Sequence, residues 1–412
     1  MTSELWRRIA FTLGALLLYR LGTYIPLPGL DLAALSGLFS DRTIQLADFF
    51  SLVSSGGGIR RAAILGLDLV PYISAAIIVQ LATMASRRLR AFKKEGARGR
   101  AIVERWTRYL TVLLAVPQGV GIALAYENVP GLVADPGWLF VTTTALALTA
   151  GTMFLIWLST QMTLRGVGNG LALLLAAGFV AQIPPAVATT LIAGRQDLLS
   201  LKQELALAAI VVATVALVVL MELGRRHIPV HYPQRQVGTL TLAERSASLT
   251  LELNNAGLMP VILASWLLSV LAWLGSLGEP WLPNVAASLE PGQPPYLILY
   301  GLFLVFGAFF YTAFVLDPDE TAGNLRQHGG AIADVEPGEA TAAHVDHVVS
   351  RITVIGSVYL AAVCLLPFVL VVAADVPFTF GGPPLLLVVC TLLDLMAQLR
   401  AYGGARPVGS RR

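Results

Sequence analysis

The chain has 412 residues, of which 56% are hydrophobic and only 13% charged, with a mean hydropathy of +0.72. A water-soluble domain carries roughly 25% charge, so a single soluble globular domain is excluded and a polytopic membrane protein is indicated. The net charge of +3 implies no nucleic-acid partner by itself, because the 28 lysines and arginines carry information through their position relative to a bilayer.

The first apolar run, from Ile9 to about Ile25, follows Arg7 and Arg8. It ends in Pro26-Leu27-Pro28-Gly29 rather than a small-residue cleavage site, which predicts a retained span. Next comes a broken region, 62–84, in which the apolar piece Ala62 to Leu67 is followed by Asp68 and Pro71. Proline lacks a backbone donor and clashes with the preceding turn, so a short helix and a separate helix from Pro71 to about Met84 are predicted. At about 1.5 Å per residue the second piece is only ~21 Å long. Further runs of spanning length, about 20 residues, lie near 109–127, 138–160, 170–193, 204–223, 256–275, 296–316, 352–373 and 379–399. Ten spans in all are predicted.

An even number of spans places both termini on one side. Segments on that side hold twenty-two Lys and Arg, including nine between Arg87 and Arg108, against five on the other, with Arg20 inside the first span. The excess of positive charge marks the cytoplasmic side. Five spans per half would force two similar halves into opposite orientations, as in inverted-repeat transporters; the repeat is a suggestion of architecture, since the halves share no convincing sequence identity. Long loops near 85–108, 224–255 and 317–351 put the partner machinery on the cytoplasmic side.

No nucleophile, base and oxyanion arrangement is visible, which argues against an enzyme and leaves no catalytic residue to name. Cys364 and Cys390 lie in apolar runs and pack as small hydrophobes. His227/His231 and His344/His347 have helix-face spacing that suits a metal, but solvated loop histidines are the simpler reading, so no metal site is assigned. Asp317-Pro318-Asp319-Glu320 lacks the glycine and distal glutamate of a calcium loop and reads as an acidic helix start. Arg20 and Asp394, the clear charges within apolar runs, sit near span ends, where snorkelling competes with a transport role. Glycine clusters at 56–58, 166–170 and 381–382 stand at span ends, as hinges, points of close approach or ordinary turns.

A family resemblance rests on several short motifs in order. They include Tyr19-Arg20-Leu21-Gly22-Thr23-Tyr24-Ile25-Pro26-Leu27-Pro28-Gly29, Pro71-Tyr72-Ile73-Ser74-Ala75, Lys93-Lys94-Glu95-Gly96 and Thr107-Arg108-Tyr109-Leu110-Thr111. Arg165-Gly166-Val167-Gly168-Asn169-Gly170, Ile228-Pro229-Val230, Asn255-Ala256-Gly257, Pro260-Val261-Ile262, Phe310-Tyr311-Thr312-Ala313-Phe314, Pro337-Gly338-Glu339-Ala340-Thr341 and Phe380-Gly381-Gly382 continue the series. From about Phe11 to Tyr402 the chain resembles the SecY subunit of the bacterial protein-conducting channel.

The resemblance implies an all-α polytopic fold: ten transmembrane helices in two inverted five-helix halves, 1–203 and 204–412, forming an hourglass channel with a plug helix. It implies unfolded, signal-bearing polypeptide as substrate, crossing the membrane or leaving sideways into lipid through a lateral gate. The plug would span about 54–68, with Gly56, Gly57, Gly58, Ile59, Arg60, Arg61, Ile64, Leu65, Leu67 and Asp68. The constriction would fall on Leu69, Ile73, Leu171, Leu175, Ile262 and Leu387. An aliphatic ring dewets when empty, yet offers a passing chain no fixed hydrogen bonds. Ser74, Ile77 and Gln80 on the gate helix, about 71–84, would face Ile262 and Ser265 across the gate.

For partners the resemblance implies SecE-type and SecG-type membrane subunits, signal peptides and unfolded preproteins, and the SecA motor or a ribosome. It implies no metal, nucleotide or prosthetic cofactor, and a location in the bacterial cytoplasmic (inner) membrane with both termini cytoplasmic. Arg225, Arg226 and Arg235 keep the basic character of the first docking loop and suit acidic protein or ribosomal RNA phosphate. Two departures stand out. Glu336 occupies the place before Pro-Gly-Glu where the family usually carries arginine, and Asp68 stands where it usually has glycine. The competing reading from the residues is an inverted-repeat secondary transporter, which should gather polar groups at the midplane; here the broken helix meets mainly Leu, Ile and Val, with Gln80 among the few polar groups.

Overall fold

The computed structural model describes residues 2–31, 61–86, 89, 96–196, 200–232, 235–237, 240–242, 245–275, 293–332, 335–336, 338–374 and 382–404. Among these, apolar helices occupy the places of all ten predicted spans. They are α1 (Thr2–Gly22), α2 (Val70–Ala85), α3 (Ala97–Glu127), α4 (Trp138–Arg165), the consecutive pair α5 (Gly170–Val180) and α6 (Ile183–Arg195), and α7 (Leu201–Leu223). The series continues with α8 (Met259–Gly275), α9 (Pro294–Val315), a short polar α10 (Pro318–Gln327), α11 (Glu339–Ala374) and α12 (Gly382–Gly404). Among the described residues seven helical stretches are long and apolar enough to cross a membrane, and α2 and α8 are shorter apolar helices.

Local chemistry accounts for the boundaries. Helix α1 begins before the apolar run, and in that polar first part Arg8 reaches back one turn to Glu4 at 3.3 Å, a small local contribution to the helix. Pro71 sits in the first turn of α2, where its missing N–H costs nothing. Ser200 and Gln203 form a reciprocal capping box at the start of α7. Asp317 caps α10 by accepting from the backbone N–H of Asp319 and Glu320 at 3.1 and 3.2 Å, as the acidic helix start predicted.

By internal contacts the chain divides into two units, residues 1–189 with 387–412, and residues 190–386. In the first unit α3 packs on α4, with Gly119 so near that a Cβ there would lie 3.0 Å from Ala145 Cα. The core beside this pair joins Tyr126, Leu132 and Leu148 to Leu27, Ala62 and Leu67 from the loops. In the second unit α9 packs on both α8 and α11. Large apolar side chains such as Leu13, Leu17, Leu113, Leu139, Leu302 and Phe306 point outward. Trp6 and Trp138 are exposed at or near helix starts, and Trp106 is exposed where the polar first turns of α3 give way to its apolar part, the kind of position favoured by tryptophan at a membrane interface.

Two segments differ from expectation. The described part of the predicted short helix, residues 61–69, is a succession of turns. Ala62 and Asp68 there adopt positive φ, 46° and 50°, which no right-handed helix can contain. The loop 224–255 contains strands β1 (Arg225–Tyr232), β2 (Arg235–Val237), β3 (Leu240–Leu242) and β4 (Arg245–Glu252). Strand β5 (Ala331–Ile332) adds to β1, giving a three-stranded sheet in the order β4-β1-β5.

Candidate functional site

The turns at 61–69 are fixed on several sides. Leu27 N–H donates to the Ala62 carbonyl at 2.8 Å, and Ile64 N–H to the Ile25 carbonyl at 2.9 Å, pairing this stretch with the loop after α1. Gly22 and Gly151 admit the same stretch closely: a Cβ at Gly151 would collide with the Ile64 carbonyl oxygen, and one at Gly22 with the Leu65 side chain. Asp68, 1% exposed, accepts from the Tyr19 hydroxyl through Oδ2 at 3.4 Å. Its backbone carbonyl accepts from Thr152 Oγ1 at 3.1 Å. A buried carboxylate requires a donor such as the Tyr19 hydroxyl, and Asp is one of the few residues that enters the left-handed region readily. Near the opposite end of the segment the Arg61 guanidinium lies over the Tyr24 ring, 4.5 Å from its centroid. Arg20 lies 4.9 Å from the same centroid and donates to the Tyr24 hydroxyl at 2.9 Å.

These contacts hold the chain where it enters α2. Leu69 is fully buried and its carbonyl accepts from Ile73 N–H at 2.9 Å, so the two residues stand one turn apart. Ile73 is half-buried. Ser74 and Ile77 are buried and Gln80 half-buried.

Glycines 166, 168 and 170 form a turn in which the N–H groups of 166, 167, 168 and 170 are engaged. Gly166 N–H donates to the Met162 carbonyl at 2.8 Å, Val167 to Thr12 Oγ1 at 3.0 Å, Gly168 to Gln398 Oε1 at 3.0 Å and Gly170 to Thr163 Oγ1 at 2.9 Å. Gly168 has φ of +88°, and a Cβ at Gly170 would strike the Ser159 carbonyl oxygen. Close approach is therefore the reason for these glycines. Asn169 caps α5 by accepting from Leu171 N–H at 3.1 Å. Leu171 is half-buried and Leu175 buried, one turn further on; Leu387, on α12, is buried too.

The second unit holds the other predicted residues. Ile262 is half-buried on α8. Ser265 hydrogen-bonds the Tyr300 hydroxyl of α9 at 3.3 Å, so its hydroxyl is engaged within its own unit. On the sheet, Ile228, Val230, Leu251 and Ile332 share a core with Val345, Val349 and Ile352 of α11. His227, Pro229 and His231 alternate with these on the exposed face. His227 and His231 thus sit on a strand, not a helix. Among the described residues no group of three or more His, Cys, Asp or Glu could hold a metal ion. Arg225 pairs across the strands with Glu252 at 3.4 Å, and both are exposed, a contact of small energetic weight. Arg226 and Glu336 are exposed, and Arg235 opens β2. Of the predicted plug residues, Arg61, Ile64, Leu65, Leu67 and Asp68 belong to the turns just described; Gly56, Gly57, Gly58, Ile59 and Arg60 lie outside the described residues.

Polar groups that sequence reading did not single out do much of this fastening: Tyr19, Thr152, Thr12 and Gln398 in the first unit, and Glu222, Asn254 and Tyr359 in the second. The sole signal for them is a polar residue in or beside an apolar run.

Comparison with known proteins covers the same ground. The SecY family model matches residues 63–396. The protein translocase subunit SecY of Escherichia coli K12 is 42% identical over 405 residues, covering 96% of this chain and 91% of that protein. Its counterpart from Vibrio cholerae is 42% identical over 409 residues, covering 97% and 92%. A solved protein-conducting channel is similar in fold, with a TM-score of 0.66 at 17% identity over 97% of this chain and 93% of the other. Sec61 in a canine ribosome-channel complex gives the same TM-score, identity and coverage.

Proposed function

The chain belongs to the SecY family, and on that premise we propose that it is the central, channel-forming subunit through which unfolded polypeptides cross a membrane. The observation that carries this reading is the 42% identity to a protein translocase subunit across 96% of the chain. The solute-transporter reading falls with family membership. The protein is multi-pass, and its family works by conduction rather than by a chemical reaction.

Finer assignments follow from the motifs and from local geometry. Leu69, Ile73, Leu171, Leu175, Ile262 and Leu387 form the aliphatic constriction, and residues 54–68 the plug. The plug is tethered at its C-terminal end by the Tyr19–Asp68 and Thr152–Asp68 hydrogen bonds. The gate is lined by Ser74, Ile77 and Gln80 on α2 and by Ile262 and Ser265 on α8. Exposed Arg225 and Arg226, with Arg235 and Glu336, form the docking surface for a ribosome or SecA. SecE-type and SecG-type subunits complete the complex in the bacterial cytoplasmic membrane. The halves 1–203 and 204–412 are inverted in orientation relative to each other, with both termini cytoplasmic as the twenty-two against five distribution of Lys and Arg favours.

The test is protease protection of a signal-bearing precursor in proteoliposomes containing this chain, SecE and SecG partners, SecA and ATP. Protection that requires both this chain and ATP is expected. Absence of protection from an intact complex, with SecA and equally with translating ribosomes, would refute the reading.

A further inference from the structure

Strand β4 ends at Glu252 and α8 begins at Met259. The residues between are fastened to three other segments. Leu253 N–H donates to the Gly224 carbonyl at 3.1 Å, and its side chain packs against the core of the sheet. Its carbonyl lies so near α11 that a Cβ on Gly356 would stand 2.6 Å from the oxygen. Asn254, 6% exposed, donates its amide to Glu222 Oε1 at 2.8 Å and to the Gly257 carbonyl at 3.2 Å. The Tyr359 hydroxyl of α11 donates to the same Glu222 oxygen at 3.3 Å. Gly257, at φ of +60°, returns its N–H to the Asn254 carbonyl at 3.1 Å, closing the turn that launches α8.

Glu222 therefore receives donors from partners 32 and 137 residues away in sequence. Bonds to an ionised acceptor are stronger and better directed than neutral ones. We propose that Glu222 is a positioning residue that couples the cytoplasmic sheet to α8, so that a load on β1 and β4 is delivered to the start of the gate helix. The inference rests on the reading of the sheet as docking surface and α8 as gate helix. Without the Glu222 bonds, Leu253 stays held by Gly224 and against Gly356, but Asn254 keeps only its hydrogen bonds to Gly257, and the turn at 254–257 takes up displacement of the sheet as slack.

The experiment compares wild type with Glu222→Leu, Tyr359→Phe and Glu222→Gln in the full SecE- and SecG-containing complex. Three quantities are read: affinity for translating ribosomes, amide hydrogen exchange at 258–262, and protected precursor per bound ribosome. In Glu222→Leu, which removes both the Asn254 and the Tyr359 bonds, ribosome affinity should stay within about twofold, while exchange should rise and transport per bound ribosome fall by at least about tenfold, since one charge-assisted bond alone is worth that much. Tyr359→Phe should move both quantities the same way by less. Glu222→Gln, which keeps an acceptor oxygen for both donors but not the charge, should fall between wild type and Glu222→Leu. Unchanged exchange and transport in Glu222→Leu would overturn the coupling. So would transport falling only in proportion to affinity, or Gln acting like Leu. Failure of the underlying reading looks different: wild type itself then protects no precursor.

Discussion

Replacing Tyr19 by Phe removes the hydroxyl that donates to Asp68 while leaving the ring in its buried place, so it tests whether this bond holds down the proposed plug. A hydrogen bond to a carboxylate contributes ~1.5–3 kcal/mol, but at 3.4 Å this one is long, which brings its worth to about 1 kcal/mol. Since 1.4 kcal/mol is tenfold, the open-plug population should rise about fivefold. Resting ion conductance of the complex in planar bilayers reads that population. Asp68→Gly removes the same bond from the other side. Glycine relieves the left-handed penalty, about 1–2 kcal/mol for an ordinary residue and less for Asp. It adds about 0.5–1 kcal/mol of backbone entropy cost, so the two nearly cancel and the lost bond remains. The single variants and the double variant should therefore all leak about fivefold more than wild type, with a coupling energy of about 1 kcal/mol. Asp68→Asn, which keeps an acceptor and tolerates the same φ, should leak least. A double variant in which the two increases multiply would refute the reasoning, because the residues would then act independently.

Substituting Ile73 and Ile262 together by Asn should make the resting channel conduct ions, because polar side chains rewet an aliphatic seal; unchanged conductance in planar bilayers removes the proposed ring. Glu336→Arg should raise the SecA-stimulated rate of precursor protection, since a like-charge contact at a docking tip costs several kcal/mol; an equal or lower rate shows that Glu336 does not face SecA. Gly170→Ala should lower the melting temperature of the purified complex, as its Cβ meets the Ser159 carbonyl oxygen and forced displacement in a packed site costs about 1–3 kcal/mol.

The apolar runs and Pro71 are legible in the sequence because their causes are local. A span needs only enough consecutive apolar residues, and the start of α2 needs only a proline in its first turn. The turns at 61–69 were not legible as turns. Ala62 to Leu67 is apolar throughout, and what bends it is pairing with residues 25–27 and the packing of Ile64 and Leu65 against Gly151 and Gly22. The strands are not legible for a related reason. Ile228 and Val230 on β1 and Leu249 and Leu251 on β4 show the alternation of a half-buried strand for only two apolar positions each, and the residues they pack with, such as Val345, arrive from far along the chain.

The same division explains why the aliphatic site residues were nameable only through family resemblance, while the polar fasteners went unnamed. A leucine in a seal and a leucine in a core look alike in sequence. Tyr19 and Asp68 are 49 residues apart, Thr12 and Val167 155, Glu222 and Tyr359 137. Their directional bonds gather at turns, 61–69, 165–170 and 253–257, whereas the proposed constriction and gate positions between them are largely aliphatic. Such a chain resists rearrangement at its turns and offers little directional resistance along its helices. A pathway for a sliding polypeptide needs that distribution, because hydrogen-bonding groups along the constriction would grip the substrate, and turns without them would let the helices lose their register.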